Sequence, residues 1–161
     1  FNQNILGQQK FLTLRLPNPN AEHGMRKKVE ESLQTIVTSY DIAARFYNAD
    51  IPPIFEVILP FTTSAEELVA IDSYYRDVVV GKQEHILPGG LKVKNWLGEY
   101  KPSSVNVIPL LEDEARITNI DNIIGTYVNL LDRDVPYLRV FLALRILVQV
   151  SPQSERELEM P

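Results

Sequence analysis

The chain has 161 residues, 45% of them apolar, a net charge of −5 and no cysteine. That is enough apolar material to bury a core, and it excludes disulfide frameworks, thiolate zinc sites and cysteine nucleophiles. Scattered Lys and Arg give no electrostatic footprint for nucleic acid, and the longest apolar run, Val140 to Val150, is broken by Arg145 and falls short of the roughly 20 residues a membrane helix needs.

The start, Phe1-Asn-Gln-Asn-Ile-Leu-Gly7, has neither an initiator methionine nor a basic region leading into an apolar one, and reads as a cut inside a longer protein. Lys10 to Leu16 is a β-like run stopped by Pro17 and Pro19, the first predicted strand. Met25, Val29, Leu33 and Ile36 then form a helical stripe from Asn20, a candidate cap, to about Val37. Ser39 to Tyr47 reads as a second short helix, broken by Asp50-Ile-Pro-Pro53.

Ile54 to Leu59 is almost wholly apolar and stops at Pro60, as expected of a strand covered on both faces. Ser64-Ala-Glu-Glu67 has capping-box spacing and opens a helix carrying Leu68, Ile71, Tyr75 and Val79, ending near Gly81. Residues 81–102 form an excursion with Pro88-Gly-Gly90 at its tip and Trp96 in an amphipathic stretch. Val105 to Leu111 is the third strand, Ile120 to Leu131 the helix after it, and Leu138 to Ala143 the fourth strand. No segment repeats in sequence.

Alternating strands and helices imply an α/β fold with a parallel sheet. A full (β/α)8 TIM-type barrel takes about 250 residues and eight strands, so about four βα units make a partial barrel. Half a barrel leaves two raw edges and an open inner face, and is expected to need its other half for stability.

In such barrels the chemistry gathers where strands end. Here those ends read Arg15-Leu-Pro-Asn-Pro19, Pro60-Phe-Thr-Thr-Ser64 and Pro109-Leu-Leu-Glu-Asp113. Arg15 offers a planar fork for phosphate or carboxylate, Glu112 or Asp113 hard oxygens for magnesium or manganese, and Thr63 a hydroxyl. Each also has a plainer role: Arg15 as a solvated strand residue, Glu112 and Asp113 at the positive end of a helix, Thr63 and Ser64 as caps. His23 and His85 read as surface residues, Lys82 as solvated, and the aromatics as core. No glycine-rich nucleotide loop is present.

Six segments then resemble, in order, the archaeal-type phosphoenolpyruvate carboxylases: Phe11-Leu-Thr-Leu-Arg-Leu-Pro-Asn-Pro19, Ser39-Tyr-Asp-Ile-Ala-Ala-Arg-Phe-Tyr47, Asp50-Ile-Pro-Pro-Ile-Phe-Glu-Val-Ile-Leu-Pro-Phe-Thr-Thr-Ser64, Tyr74-Tyr-Arg-Asp-Val-Val-Val-Gly-Lys-Gln83, Asn106-Val-Ile-Pro-Leu-Leu-Glu-Asp113 and Arg139-Val-Phe-Leu-Ala143. The resemblance implies a cytoplasmic barrel enzyme, usually a homotetramer, needing Mg2+ or Mn2+ and joining bicarbonate to phosphoenolpyruvate to give oxaloacetate and phosphate. It makes Glu112 a metal ligand and Arg15 a catalytic and substrate-binding arginine, while Thr63 stays a candidate substrate contact by its hydroxyl at a strand end.

After Ala143 the family is expected to continue Arg-Ser-Asp, supplying a substrate arginine and a second metal carboxylate. Leu144-Arg-Ile-Leu-Val148 stands there instead. Arg145, one position late, is the candidate replacement, and no aspartate follows Asp134. Residues 1–143 thus read as the barrel segment and 144–161 as a divergent tail, as a shifted reading frame near Ala143 would produce. The family's catalytic histidine region is expected before Phe1, so no carboxylation is expected of this chain alone. Two other readings compete: a non-catalytic half-barrel that self-associates, and another metal-dependent barrel enzyme acting on enolates, such as an aldolase or lyase.

Overall fold

The structure, a computed structural model, describes residues 4–143. Four strands, β1 (Leu12–Arg15), β2 (Ile54–Leu59), β3 (Asn106–Leu111) and β4 (Phe141–Leu142), lie side by side in chain order and are all parallel. Helices α1 (Arg26–Tyr47), α2 (Ala65–Ser73), α3 (Val93–Leu97), α4 (Glu114–Thr118) and α5 (Ile120–Leu130) fill the connections. The sheet curls into a half-barrel with the helices outside.

Strand alternation sorts the side chains. Leu14, Leu16, Val57, Leu59, Val107 and Leu111 pack outward against Leu33 and Ile36 of α1, Leu68 and Ile71 of α2, and Tyr127 of α5, in one continuous core. Thr13, Arg15, Glu56, Ile58, Ile108 and Arg139 alternate with them, on the concave side. The register slips once, between Leu12 and Thr13, where β2 carries an extra residue, so that Leu12 pairs with Ile54 but Thr13 with Glu56. The residue that interrupts the ladder, Phe55, stacks edge-on against Phe11, with ring centroids 5.1 Å apart.

Several expectations are corrected. Residues 20–47 do not form two helices: a short 3-10 turn at His23–Met25 leads into a single 22-residue helix. Its buried stripe, Val29, Leu33, Ile36, Tyr40 and Ala43, runs straight through the predicted break. Thr35 and Thr38 are tolerated inside it because their hydroxyls donate to the carbonyls of Glu31 and Gln34, four residues back. Asn20 does not cap it. Met25 precedes the first turn without a side-chain cap, and Asn48, left-handed at φ 50°, ends the helix.

Ser64 does sit immediately before α2 but makes no side-chain capping bond; the Glu67 carboxylate reaches back to the Thr63 amide instead, at 2.7 Å. Beyond Ser73 the helix continues as π-helical turns through Val80 and a 3-10 turn over Gly81–Glu84. β4 is a two-residue ladder rather than the six residues predicted, although Leu138 and Val140 keep the predicted alternation and pack on the core. Tyr75 and Tyr127 are fully buried as expected of core aromatics, whereas Phe11, Phe46 and Trp96 are exposed. Among the described residues no helix is long and apolar enough to cross a membrane.

Candidate active site at the strand ends

The carboxyl ends of β1, β2 and β3 carry the polar residues singled out in sequence, and the loop after β2 ties the other two together. Phe61 adopts a left-handed backbone, φ 53°, which a bulky residue adopts only when its surroundings compel it. The compulsion is visible on both sides. Asn18, fully buried in the loop after β1, donates through Nδ2 to the carbonyls of Pro60 at 2.9 Å and Phe61 at 3.3 Å. Thr62, also buried, donates through Oγ1 to the Leu59 carbonyl at 2.7 Å and through its amide to the Leu110 carbonyl of β3 at 3.2 Å.

So turned, Phe61 faces both candidate groups. Its ring lies under the Arg15 guanidinium, 5.9 Å from centroid to Cζ, within reach of a cation–π attraction. Its amide donates to Glu112 Oε2 at 3.3 Å. Arg15 from β1 and Glu112 from the end of β3 are thereby brought onto one residue at the centre of the three strand ends. Arg15 keeps half of its side chain exposed while pairing with Glu22 at 3.4 Å, and Glu112 is half-buried. Glu22 is itself fixed by the Asn18 amide, at 2.9 Å.

The other candidates fall outside this cluster. Thr63 is exposed, its backbone committed to the start of α2 through Glu67 and to Arg116, which donates to its carbonyl at 3.3 Å. Asp113 has the plainer of its two roles: it caps α4, accepting from the Arg116 amide at 2.8 Å. Arg145 and the tail lie outside the described residues. His23 and His85 are both exposed, as read, and His23 Nδ1 meets Arg26 Nη2 at 2.8 Å. Lys82 is held by Gln34 and lies over the Tyr100 ring at 5.4 Å, rather than being merely solvated.

As a metal site the arrangement is partial. Among the described residues no group of three Asp, Glu or His side chains converges, so Glu112 offers one hard oxygen donor rather than a cage. Magnesium characteristically binds through one or two carboxylates, with water and substrate phosphate completing its shell, and a lone strand-end glutamate beside an arginine fits that pattern.

Sequence reasoning missed Asn18 and Thr62, the residues that hold Phe61. Only Asn18 left a signal: in Leu-Pro-Asn-Pro19 the asparagine sits between two residues lacking an amide proton, where a side-chain donor is the natural substitute.

A family model described as phosphoenolpyruvate carboxylase matches residues 1–145. Curated phosphoenolpyruvate carboxylases from Methanothermobacter thermautotrophicus, Picrophilus torridus and Metallosphaera sedula are 46%, 45% and 41% identical to it over 143 residues. Each alignment covers 89% of this chain, which spans only 28–29% of the length of those relatives. With a family model matching nine-tenths of its length and relatives more than 40% identical to it, the chain belongs to the phosphoenolpyruvate carboxylase family.

Proposed function

We propose that this chain carries part of a phosphoenolpyruvate carboxylase active site, with Arg15 and Glu112 at its centre. The observation that supports the reading is their meeting on Phe61: a half-exposed guanidinium and a half-buried carboxylate at neighbouring strand ends, on a loop that the buried Asn18 and Thr62 hold in place. Arg15 would bind the phosphate or carboxylate of phosphoenolpyruvate, and Glu112 one position of a Mg2+ or Mn2+ ion. When bound, that ion neutralises charge developing on the substrate oxygens.

In the reaction, a bicarbonate oxygen attacks phosphorus, the enol C–O–P linkage breaks, and carboxyphosphate and the enolate of pyruvate result. Carboxyphosphate then yields carbon dioxide and phosphate, and the enolate carbon takes up the carbon dioxide to form oxaloacetate. Arg15 contributes by holding negative charge in place before and after the transfer. Thr63 and Arg145 enter the proposal as further substrate contacts, and a cytoplasmic homotetramer as the working assembly.

The test has two arms. Isothermal titration of manganese into wild type and Glu112→Ala is expected to give at least about tenfold weaker binding in the variant, roughly 1.4 kcal/mol; equal binding removes Glu112 from the site. A coupled oxaloacetate assay is expected to register no turnover from this chain alone, because it spans only 28–29% of the length of its curated relatives. Metal-dependent turnover would overturn that part.

A second reading, a non-catalytic half-barrel that pairs with another copy through its edges, is favoured by Phe11 just before β1, Leu12 at its start and Leu142 on β4, each about half exposed. Light scattering that finds a compact 18.4 kDa species at low concentration would remove it.

A further inference from the structure

One side-chain layer below Arg15, level with Thr13 of β1 and Asn106 of β3, the concave face carries a charged contact that the proposed chemistry does not use. Glu56 of β2 is 3% exposed, in a strand that is otherwise apolar. Arg139, just before β4, donates through Nε to Glu56 Oε1 at 3.2 Å and through Nη2 to Glu56 Oε2. The same Nη2 reaches Thr13 Oγ1 of β1 at 3.3 Å. A single side chain thus leaves the β4 segment, passes over β3 and fastens to both β2 and β1.

Such a contact is a chord across the curl of the sheet. The twist between neighbouring strands has a fixed hand but ranges over roughly 10–35°, so backbone hydrogen bonds between neighbours do not fix the distance between strands two or three apart. The chord does, because its length is that of one arginine and its fork grips both carboxylate oxygens, a geometry that tolerates little rotation. It also holds the β4 segment, whose own ladder is only Leu110↔Phe141 and Leu111↔Leu142. Thr13 and Arg15 share the concave face of β1 two residues apart, about 7 Å along the strand, so the height and tilt of Arg15 follow from where the chord pins Thr13.

We propose that Glu56 and Arg139 are positioning residues: their chord sets the curl of the half-barrel and hence the separation of the β1 and β3 ends that carry Arg15 and Glu112. The proposal rests on the strand-end reading of the site, but its test reads a distance rather than turnover, so either can fail without the other.

The chain has no cysteine, so Ala21→Cys and Glu114→Cys, both at exposed positions after β1 and β3, give a unique pair of spin labels. Double electron–electron resonance on the full chain is expected to show one narrow distance distribution. In Glu56→Gln, Arg139→Met and Arg139→Lys that distribution is expected to broaden or shift by about 2.4 Å, half an inter-strand spacing, with far-UV circular dichroism retained. Thr13→Val removes only the reach to β1, conserves shape and charge, and decides the matter if the charge variants do not fold; it too is expected to broaden the distribution. An unchanged distribution in folded variants, even with a lowered melting temperature, marks the pair as stabilising only and overturns the proposal.

Discussion

The Phe61 amide donates to the Glu112 carboxylate from a left-handed backbone, so a strained residue of one strand end orients the charged residue of the next. Strain of this kind costs of order 1–3 kcal/mol and persists only where neighbours enforce it. Substitution separates backbone from ring. Phe61→Gly removes the ring but suits the left-handed conformation, whereas Phe61→Val keeps more apolar surface but is β-branched and fits it worst. We expect Phe61→Val to be less stable than Phe61→Gly by about 1–2 kcal/mol in urea unfolding. Burial alone predicts the opposite order, so a more stable valine variant would show that the backbone is relaxed.

Asn18 supplies the enforcement. Its buried amide gives both donors to the loop after β2 while Oδ1 accepts from the Asn20 amide at 2.9 Å. Asn18→Ala leaves the Pro60 and Phe61 carbonyls without that donor, at a cost of about 2–3 kcal/mol. Asn18→Asp keeps the acceptor but aims a carboxylate oxygen at two carbonyls, and is expected to cost more than alanine above pH 6 and to approach it near pH 3, where protonation restores a donor. Chemical denaturation at the two pH values checks both; a pH-independent aspartate variant would refute the assigned amide orientation.

The buried tyrosines predict alkaline behaviour. Burial, and secondarily the Asp72 charge, push the Tyr127 phenol up to about 12, and burial raises Tyr75 further. A phenol with a raised folded pKa keeps its full stabilising contribution below pH 10, the unfolded value, and loses it as pH climbs through the folded value. Stability should fall by about 1.4 kcal/mol per pH unit per buried tyrosine between pH 10 and 12. Tyr127→Phe is expected to make that slope shallower by one tyrosine's share. An identical slope in the variant would mean that Tyr127 ionises freely in the folded chain.

Where the sequence was legible, a single local pattern decided the outcome. β2 was readable to the residue because an apolar run is bounded by prolines, and α5 because its stripe starts and stops cleanly. α1 was misread as two helices because hydroxyl residues at 35, 38 and 39 look like a boundary until their bonds to the preceding turn are seen. β4 was overestimated because alternation records which face a side chain takes, not whether a ladder forms. At the candidate site, strand-end position picked out Arg15 and the Glu112–Asp113 pair, which do lie at the carboxyl ends of β1 and β3, but the choice of Glu112 came from the family resemblance. The residues that hold them were not, since the partners of Asn18 lie 42 and 43 residues away and those of Arg139 lie 83 and 126. Glu56 did leave a trace: a lone carboxylate in an apolar strand is buried only with a partner.

A comparable cluster closes the opposite end of the barrel wall, and it makes the sharpest stability prediction. Asp72 of α2, 1% exposed, accepts from Arg76 Nε at 2.8 Å and from Arg133 Nη2 at 3.0 Å. Arg133 also donates to the Val105 carbonyl at 2.8 Å and to Asn106 Oδ1 at 3.3 Å, so one carboxylate joins α2 to the start of β3 and to the segment leading into β4. Asp72→Asn keeps the shape but leaves two guanidiniums facing each other over a neutral amide, with only the more distant Asp77 and Asp132 charges acting on Arg76, and breaking a buried pair costs about 3–5 kcal/mol. The lower end applies here because both arginines are 20–28% exposed at the side chain. Lys28→Met provides the contrast: its pairing with Glu31 is more than half exposed on both sides and is worth about 0.5 kcal/mol or less. Urea unfolding of the two variants should therefore differ severalfold, and raising the salt from low to molar should erase the small effect while leaving most of the large one. Equal losses would mean that Asp72 is solvated in the folded chain and that packing alone joins α2 to β3.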